Sequence, residues 1–216
     1  MYELDPTVTS SVQRFERLRY DATAIPLVSV VAAMLEVEDL TTLTCDTLVT
    51  RQMDDQRSVF HRRYFDHVDQ LHEPYCGLLD ALGLSPDEVL VQRIPTLRVQ
   101  SPGSLAVGAW HRDMDYGHHP AEINYWVPLT PLCPDNTLWI EDEPVLVDVG
   151  EVVRFRGATA RHGNVVNRAN RSRVSIDFRT LDPTYYSPGV RSVSHGVEFR
   201  VGKYWWYSGR HVRDDA

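Results

Sequence analysis

A chain of 216 residues with 43% apolar content is long enough to build one domain around a full core. Its formal net charge of −8 argues against general nucleic-acid binding, which needs a positive field to neutralise phosphates. It suits a cationic small substrate or simple solubility. No stretch reaches the roughly 18 apolar residues of a membrane span, the longest candidate being Ile25 to Leu35.

Met1-Tyr2-Glu3-Leu4-Asp5 has neither the basic region nor the apolar stretch of an export signal. Cys45, Cys76 and Cys133 are odd in number and show no CxxC spacing, so neither a zinc knuckle nor a disulfide framework is indicated. A reducing cytoplasm is the expected compartment.

Residues 1 to 24 show no clear period, and Pro26 closes them. Leu27 to Val37 reads as a short buried helix running into the acidic Glu36-Val37-Glu38-Asp39. Asp54 to Leu71 has the clearest helical pattern, with Phe60, Tyr64, Val68 and Leu71 forming one apolar stripe. Pro74 is expected to interrupt it. Tyr75, Leu78, Leu79 and Leu82 suggest a second helix stopped by Gly83. His61, His67 and His72 are expected at solvated or boundary positions.

From Val89 the texture changes to short strands. These are Val89 to Gln100, Ala106 to His111, Glu122 to Leu129, Thr137 to Ile140, Pro144 to Asp148 and Glu151 to Phe155. Arg173 to Thr180 and Ser194 to Val201 complete the set. Strands at this spacing indicate a sandwich or barrel, and helices followed by strands give an α+β outline. We read residues 1–216 as a single domain in which 1–88 are mainly helical support and 89–216 the core. That core is expected to be a double-stranded β-helix, or jelly roll, with the N-terminal helices packed on the larger sheet.

The chemistry-bearing residues concentrate between Trp110 and Arg179. His111 and Asp113 are two apart, so on an extended strand they point the same way while Arg112 faces elsewhere. His162 can join them from a distant strand folded back alongside. Two imidazoles and one carboxylate on one face of a metal, with the opposite positions open, are the ligand set of non-haem ferrous oxygenases. We therefore read His111, Asp113 and His162 as ligands of one Fe(II).

Further on, Arg173, Ser175 and Asp177 take the polar face of a strand whose apolar face is Val174, Ile176 and Phe178. An Arg with a hydroxyl beside it suits the far carboxylate of a dicarboxylic acid. A lone His-x-Asp means little in a chain with nine His; the joint order of the motifs carries the reading. His118 and His119 are adjacent and cannot both ligate from one strand. They belong to a polar loop, Tyr116-Gly117-His118-His119-Pro120, bordering the site mouth.

This order of His-x-Asp, distal His and Arg-x-Ser resembles the Fe(II)/2-oxoglutarate-dependent oxygenases, specifically their phytanoyl-CoA dioxygenase-like, cupin-like branch. The run His111 to Thr130 and the ending Val174-Ser175-Ile176-Asp177-Phe178-Arg179 are similar to small oxygenases of aminoglycoside antibiotic biosynthesis, of the streptomycin and hygromycin type. The resemblance implies Fe(II), 2-oxoglutarate as co-substrate and O2. It places Arg173 and Ser175 on the distal carboxylate, with Asn124, Thr137 and then Gln100 assisting. It also implies oxidative decarboxylation to succinate and CO2, coupled to hydroxylation, ring closure or desaturation. Related halogenases carry a small residue at the Asp113 position, so halogenation is disfavoured. Arg179 is read as a structural partner of Asp177 or another buried acid.

For the substrate, Asp115, Glu122, Asp135, Glu141, Asp142 and Glu143 crowd the loops, and carboxylates there would hold ammonium groups. Tyr185, Tyr186, Tyr204, Trp205, Trp206 and Tyr207 could face sugar rings, and edge packing explains them equally well. Asp115, Tyr116, His118, Trp126 and Glu141 are the expected substrate contacts. The expected substrate is a polyhydroxylated cationic carbohydrate such as an aminocyclitol glycoside, with orthoester formation among the outcomes. An amino-acid hydroxylase of the same superfamily and a non-oxygenase cupin-like sugar binder are the alternatives. Neither nucleic acid nor membrane is an expected partner, and oligomeric state is not legible.

Overall fold

The computed structural model describes residues 14–44, 58–105, 110–193 and 196–209. Among the described residues, three α-helices contribute to one core. The first, α1 (Leu27–Met34), buries Leu27, Val31 and Met34 and stops short of the expected Val37, because Glu36 turns left-handed at φ 58°. The second, α2 (Val59–Asp66), starts at Ser58, whose side chain accepts from the backbone N–H of His61. Residues 54–57 of the expected helix lie outside the described residues. That helix does not run unbroken to Leu71: it ends at His67 and tightens into a 3-10 turn, Val68–Leu71.

The third helix, α3 (His72–Ala81), contains Pro74 instead of being interrupted by it. Within the first turn a missing N–H leaves no helical bond unmade. Gly83 then ends it at φ +67°. His61 corrects another expectation, being buried on α2 instead of solvated. Its Nε2 lies 2.8 Å from the Leu97 carbonyl and its Nδ1 2.9 Å from Ser58 Oγ.

Among the described residues, ten strands make two antiparallel sheets. In chain order they are β1 (Glu16–Arg19), β2 (Leu90–Gln92), β3 (Thr96–Gln100), β4 (Ile123–Pro128) and β5 (Trp139–Ile140). Then follow β6 (Glu143–Pro144), β7 (Glu151–Phe155), β8 (His162–Gly163), β9 (Arg173–Leu181) and β10 (Trp205–Trp206). The larger sheet runs β1-β7-β4-β9-β2-β10 with β3 also on β9, and the smaller runs β6-β5-β8. The expected strand Val89 to Gln100 is broken ahead of Pro95, which has no N–H to donate. Thr137 to Ile140 and Pro144 to Asp148 shrink to two-residue strands. Ser194 to Val201 forms no strand among the described residues, only the bridges Arg191 to Glu198 and Val201 to Trp205. Residues 106–109 of the expected strand ending at His111 lie outside the described residues.

β9 sits at the centre and is buried along nearly its whole length. Alternation sends Val174, Ile176 and Phe178 to the outer face, where they join residues of all three helices in the main core. Phe178 lies flat on Tyr125 at 4.9 Å and edge-on to Tyr75 at 5.3 Å. The helices thus do pack on the larger sheet. The inner face of β9 is polar: Arg173, Ser175, Asp177 and Arg179. Next to it, Trp126, Val153 and Phe155 meet Leu138, Ile140, Val145 and Val147 in a second core between the sheets. Tail aromatics close a third cluster around Leu90, Leu181, Phe199 and Trp205.

Candidate active site

Backbone pairing brings the two histidines together. His111 and His162 form an antiparallel bridge, with N–H···O distances of 3.0 and 2.9 Å in the two directions, and their rings lie 4.5 Å apart. Arg112 is extended (φ −111°, ψ 141°), after which the chain turns into the short 3-10 helix Asp113–Tyr116. The common direction of His111 and Asp113 therefore comes from one extended residue and a turn, not from a continuing strand. The Asp113 N–H donates to the Gly157 carbonyl at 2.9 Å, fixing that turn.

Asp113 Oδ1 is 3.3 Å from His111 Nε2 and 3.5 Å from His162 Nε2. One ligand atom from each residue lies within 4.8 Å of the others, and among the described residues this is the one cluster of three such groups. The His162 Nδ1 faces the Ala160 carbonyl at 3.0 Å, so a proton there leaves Nε2 with its lone pair toward Asp113. Burial, partly opposed by Asp113, lowers the pKa of His162 and favours the neutral ring a metal requires.

The other oxygen of Asp113 is fully engaged. Oδ2 accepts from Arg179 Nε at 3.0 Å and Arg179 Nη2 at 2.8 Å, and from Asn124 Nδ2 at 2.7 Å. Burial alone would raise this carboxyl. Arg179, with the two histidines, outweighs it and holds Asp113 well below the usual carboxylate range. Arg179 is itself held charged, the Asp113 carboxylate overcoming the cost of burial. Arg179 and Asn124 are cross-strand partners on β9 and β4, so sheet register delivers both to one oxygen. The expectation that Arg179 pairs with a buried acid holds, and the acid is the candidate ligand.

Six residues back on the same face, the buried Arg173 donates through Nε to the Asn136 carbonyl at 3.2 Å. Its Nη1 reaches Ser175 Oγ at 2.8 Å and its Nη2 reaches Gln100 Oε1 at 3.3 Å. Ser175 Oγ also accepts from Trp126 Nε1 at 3.0 Å. With both lone pairs engaged, the serine is left to donate its proton. Gln100 gives its amide N–H groups to Ser104 and Val165 carbonyls, which turns its oxygen toward Arg173. Thr137 spends its hydroxyl on the Val145 carbonyl. Gln100 thus orients Arg173, and Thr137 braces the smaller sheet.

His111, Asp113, His162, Asn124, Trp126 and Arg173 all line one cavity whose enclosed space is about 40 Å³. Larger surface grooves, about 510 and 630 Å³, lie elsewhere and contain no such ligand cluster. Of the expected substrate contacts, Tyr116 lies edge-on to His111 at 5.2 Å, whereas Trp126 belongs to the Arg173 socket. Asp115 caps its own turn by accepting from the Arg112 N–H, and Glu141 accepts from the Arg161 N–H at 2.7 Å. His118 faces Glu122 at 2.8 Å and packs on Phe199, and Glu122 is buried rather than lying on an open loop.

Two residues of the site escaped sequence reading. Arg98 lines the same cavity and bonds Asp177 at 2.9 Å; alternation from Gln100 could have located it. Gly157 gave no signal. A Cβ there would lie 2.4 to 2.7 Å from the amide atoms of Asn124, so only glycine leaves that amide its seat.

No family model matches the chain. It is 49% identical over 194 residues to streptomycin biosynthesis protein StrG of Streptomyces griseus, covering 89% of this chain and 98% of that protein. In three dimensions it resembles CytC3 with Fe(II) and α-ketoglutarate, with TM-score 0.53, 14% identity and coverage of 98% and 91% of the two chains. It also resembles the non-haem α-ketoglutarate-dependent epimerase SnoN of nogalamycin biosynthesis, with TM-score 0.52, 13% identity and coverage of 88% and 92%. With the His-Asp-His cluster set in that fold, the chain belongs to the family of streptomycin biosynthesis protein StrG and has the fold of the non-haem iron, 2-oxoglutarate-dependent enzymes.

Proposed function

We propose that this protein is an Fe(II)/2-oxoglutarate-dependent oxygenase on a jelly-roll frame, oxidising a C–H bond of a small, polar, cationic carbohydrate in antibiotic biosynthesis. One observation carries the reading. A carboxylate oxygen and two imidazole nitrogens converge at 3.3 and 3.5 Å, sharing a cavity with the buried Arg173, whose guanidinium bonds Ser175. Nitrogen and oxygen donors from two His and one carboxylate suit a ferrous ion with open positions. Bound there, iron and 2-oxoglutarate would supply O2 activation and a two-electron oxidant, releasing succinate and CO2.

The chain's own groups do the rest. Neutral His162 presents its Nε2 lone pair beside His111 Nε2, and Arg179 and Asn124 hold Asp113 so that Oδ1 faces the histidines. Arg173 offers a charged fork and Ser175 a hydroxyl proton to the distal carboxylate of the co-substrate.

The substrate class rests on the likeness to StrG. The test is a screen of aminocyclitol and aminoglycoside intermediates for succinate release coupled to a product mass change. A hydroxylation adds one oxygen, and ring closure or desaturation removes two hydrogens. Succinate release that no aminated carbohydrate stimulates, while a free amino acid does, would replace the substrate class.

A further inference from the structure

Asn124 is buried to 3% exposure, and its carboxamide is fixed from two sides. Asp113 Oδ2 requires a donor, so the NH2 group faces it at 2.7 Å. The backbone of Gly157 lies against the other flank, close enough that no Cβ fits. This orientation leaves Oδ1 buried without a hydrogen-bond partner among the described residues, on a side chain that lines the cavity holding the ligand set. A buried, unmet acceptor is costly, and the cost is recovered when a donor arrives. 2-Oxoglutarate carries only acceptors, so it cannot meet this oxygen.

Resting on the oxygenase reading above, we propose that Asn124 is a substrate-selecting residue. Its N–H orients the Asp113 ligand, and its oxygen accepts a hydrogen bond from a hydroxyl or ammonium donor of the substrate beside the metal. This departs from the expectation that Asn124 serves the co-substrate. It also makes specificity a matter of donors: a substrate lacking the donor leaves the oxygen unpaired and is rejected.

The test uses the visible charge-transfer band of the anaerobic protein loaded with Fe(II) and 2-oxoglutarate. Wild type, Asn124→Leu (equal in shape) and Asn124→Ala (smaller) are titrated first with 2-oxoglutarate. They are then titrated with 2-deoxystreptamine, a cyclitol bearing hydroxyl and ammonium donors. Titrations are run at saturating Fe(II), which offsets the lost hold on Asp113, and any loss of 2-oxoglutarate affinity is expected to be at least about tenfold smaller than the loss of cyclitol affinity. The cyclitol is expected to perturb the wild-type band and to bind the variants roughly tenfold or more weakly. Equal cyclitol affinity in all three, a wild-type band indifferent to the cyclitol, or a loss confined to 2-oxoglutarate affinity overturns the proposal. Absence of any band in the wild type marks the separate failure of the iron reading, and the proposal falls with it.

Discussion

Arg173 and Arg179 stand on the same face of one strand, yet they sit in opposite electrostatic circumstances. Arg179 spends its guanidinium on a buried carboxylate, with two bonds to Asp113 Oδ2 at 3.0 and 2.8 Å. The bonds described for Arg173 run to a carbonyl, a hydroxyl and an amide oxygen, all neutral. The first arginine completes a charge pair within the protein and serves the metal ligand. The second donates to neutral oxygens, and under the proposed function its guanidinium would receive the distal carboxylate of 2-oxoglutarate.

Removing either arginine tests that division, with the largest effect expected at Arg179. Arg179→Met strands a buried carboxylate, so a stability loss of about 3–5 kcal/mol is expected in urea denaturation, with weakened Fe(II) binding. A loss below about 1 kcal/mol would show that Asp113 does not depend on its partner. Arg173→Met is expected to leave Fe(II) affinity nearly unchanged while weakening 2-oxoglutarate binding roughly 10- to 100-fold, measured by calorimetry with Mn(II) in place of iron. Equal loss of metal and co-substrate binding would erase the distinction.

Acid sharpens the metal end of the comparison. Asp113 and His162 both titrate below their ordinary values in the folded protein. An unfolded chain therefore takes up protons before the folded one does, and stability falls as pH drops. The His162 contribution is fully present above about pH 6.5 and is lost below it; that of Asp113 is lost only at lower pH, below about 4. The melting temperature is expected to decline from pH 7.5 to 5.5, and more weakly in His162→Asn; parallel profiles would contradict the assignment. The smallest effect is expected from Gly157→Ala, which presses on the Asn124 amide. A cost of about 1 kcal/mol and a weaker hold on Fe(II) follow, read from melting and metal titration.

The residues that carry chemistry were legible because their spacing is local or their type is rare. Strand alternation put Arg173, Ser175, Asp177 and Arg179 on one face, and β9 extends only one residue beyond the expected end. The helical layer was legible from the stripe Phe60, Tyr64 and Leu71, although the break at His67 was not, since periodicity passes through a 3-10 turn unmarked. Two-residue strands such as β5 and β8 give no alternation to read, yet their pairing places His162 opposite Ile140. The partners of Glu122, His118 and Glu141 were not legible, because composition counts carboxylates without saying which are already bonded. Alternation from Gln100 points to Arg98, but its pairing with Asp177 depended on register between strands, and Gly157 depended on a close approach distant in sequence.

The most direct measurement is an anaerobic crystal structure of the protein with Fe(II) and 2-oxoglutarate, with the metal located by its anomalous scattering. A single peak is expected between His111 Nε2, Asp113 Oδ1 and His162 Nε2, with a carboxylate of 2-oxoglutarate on Arg173 and Ser175. A metal bound elsewhere, such as at His118 and Glu122, or a co-substrate whose carboxylates avoid Arg173, would contradict the account.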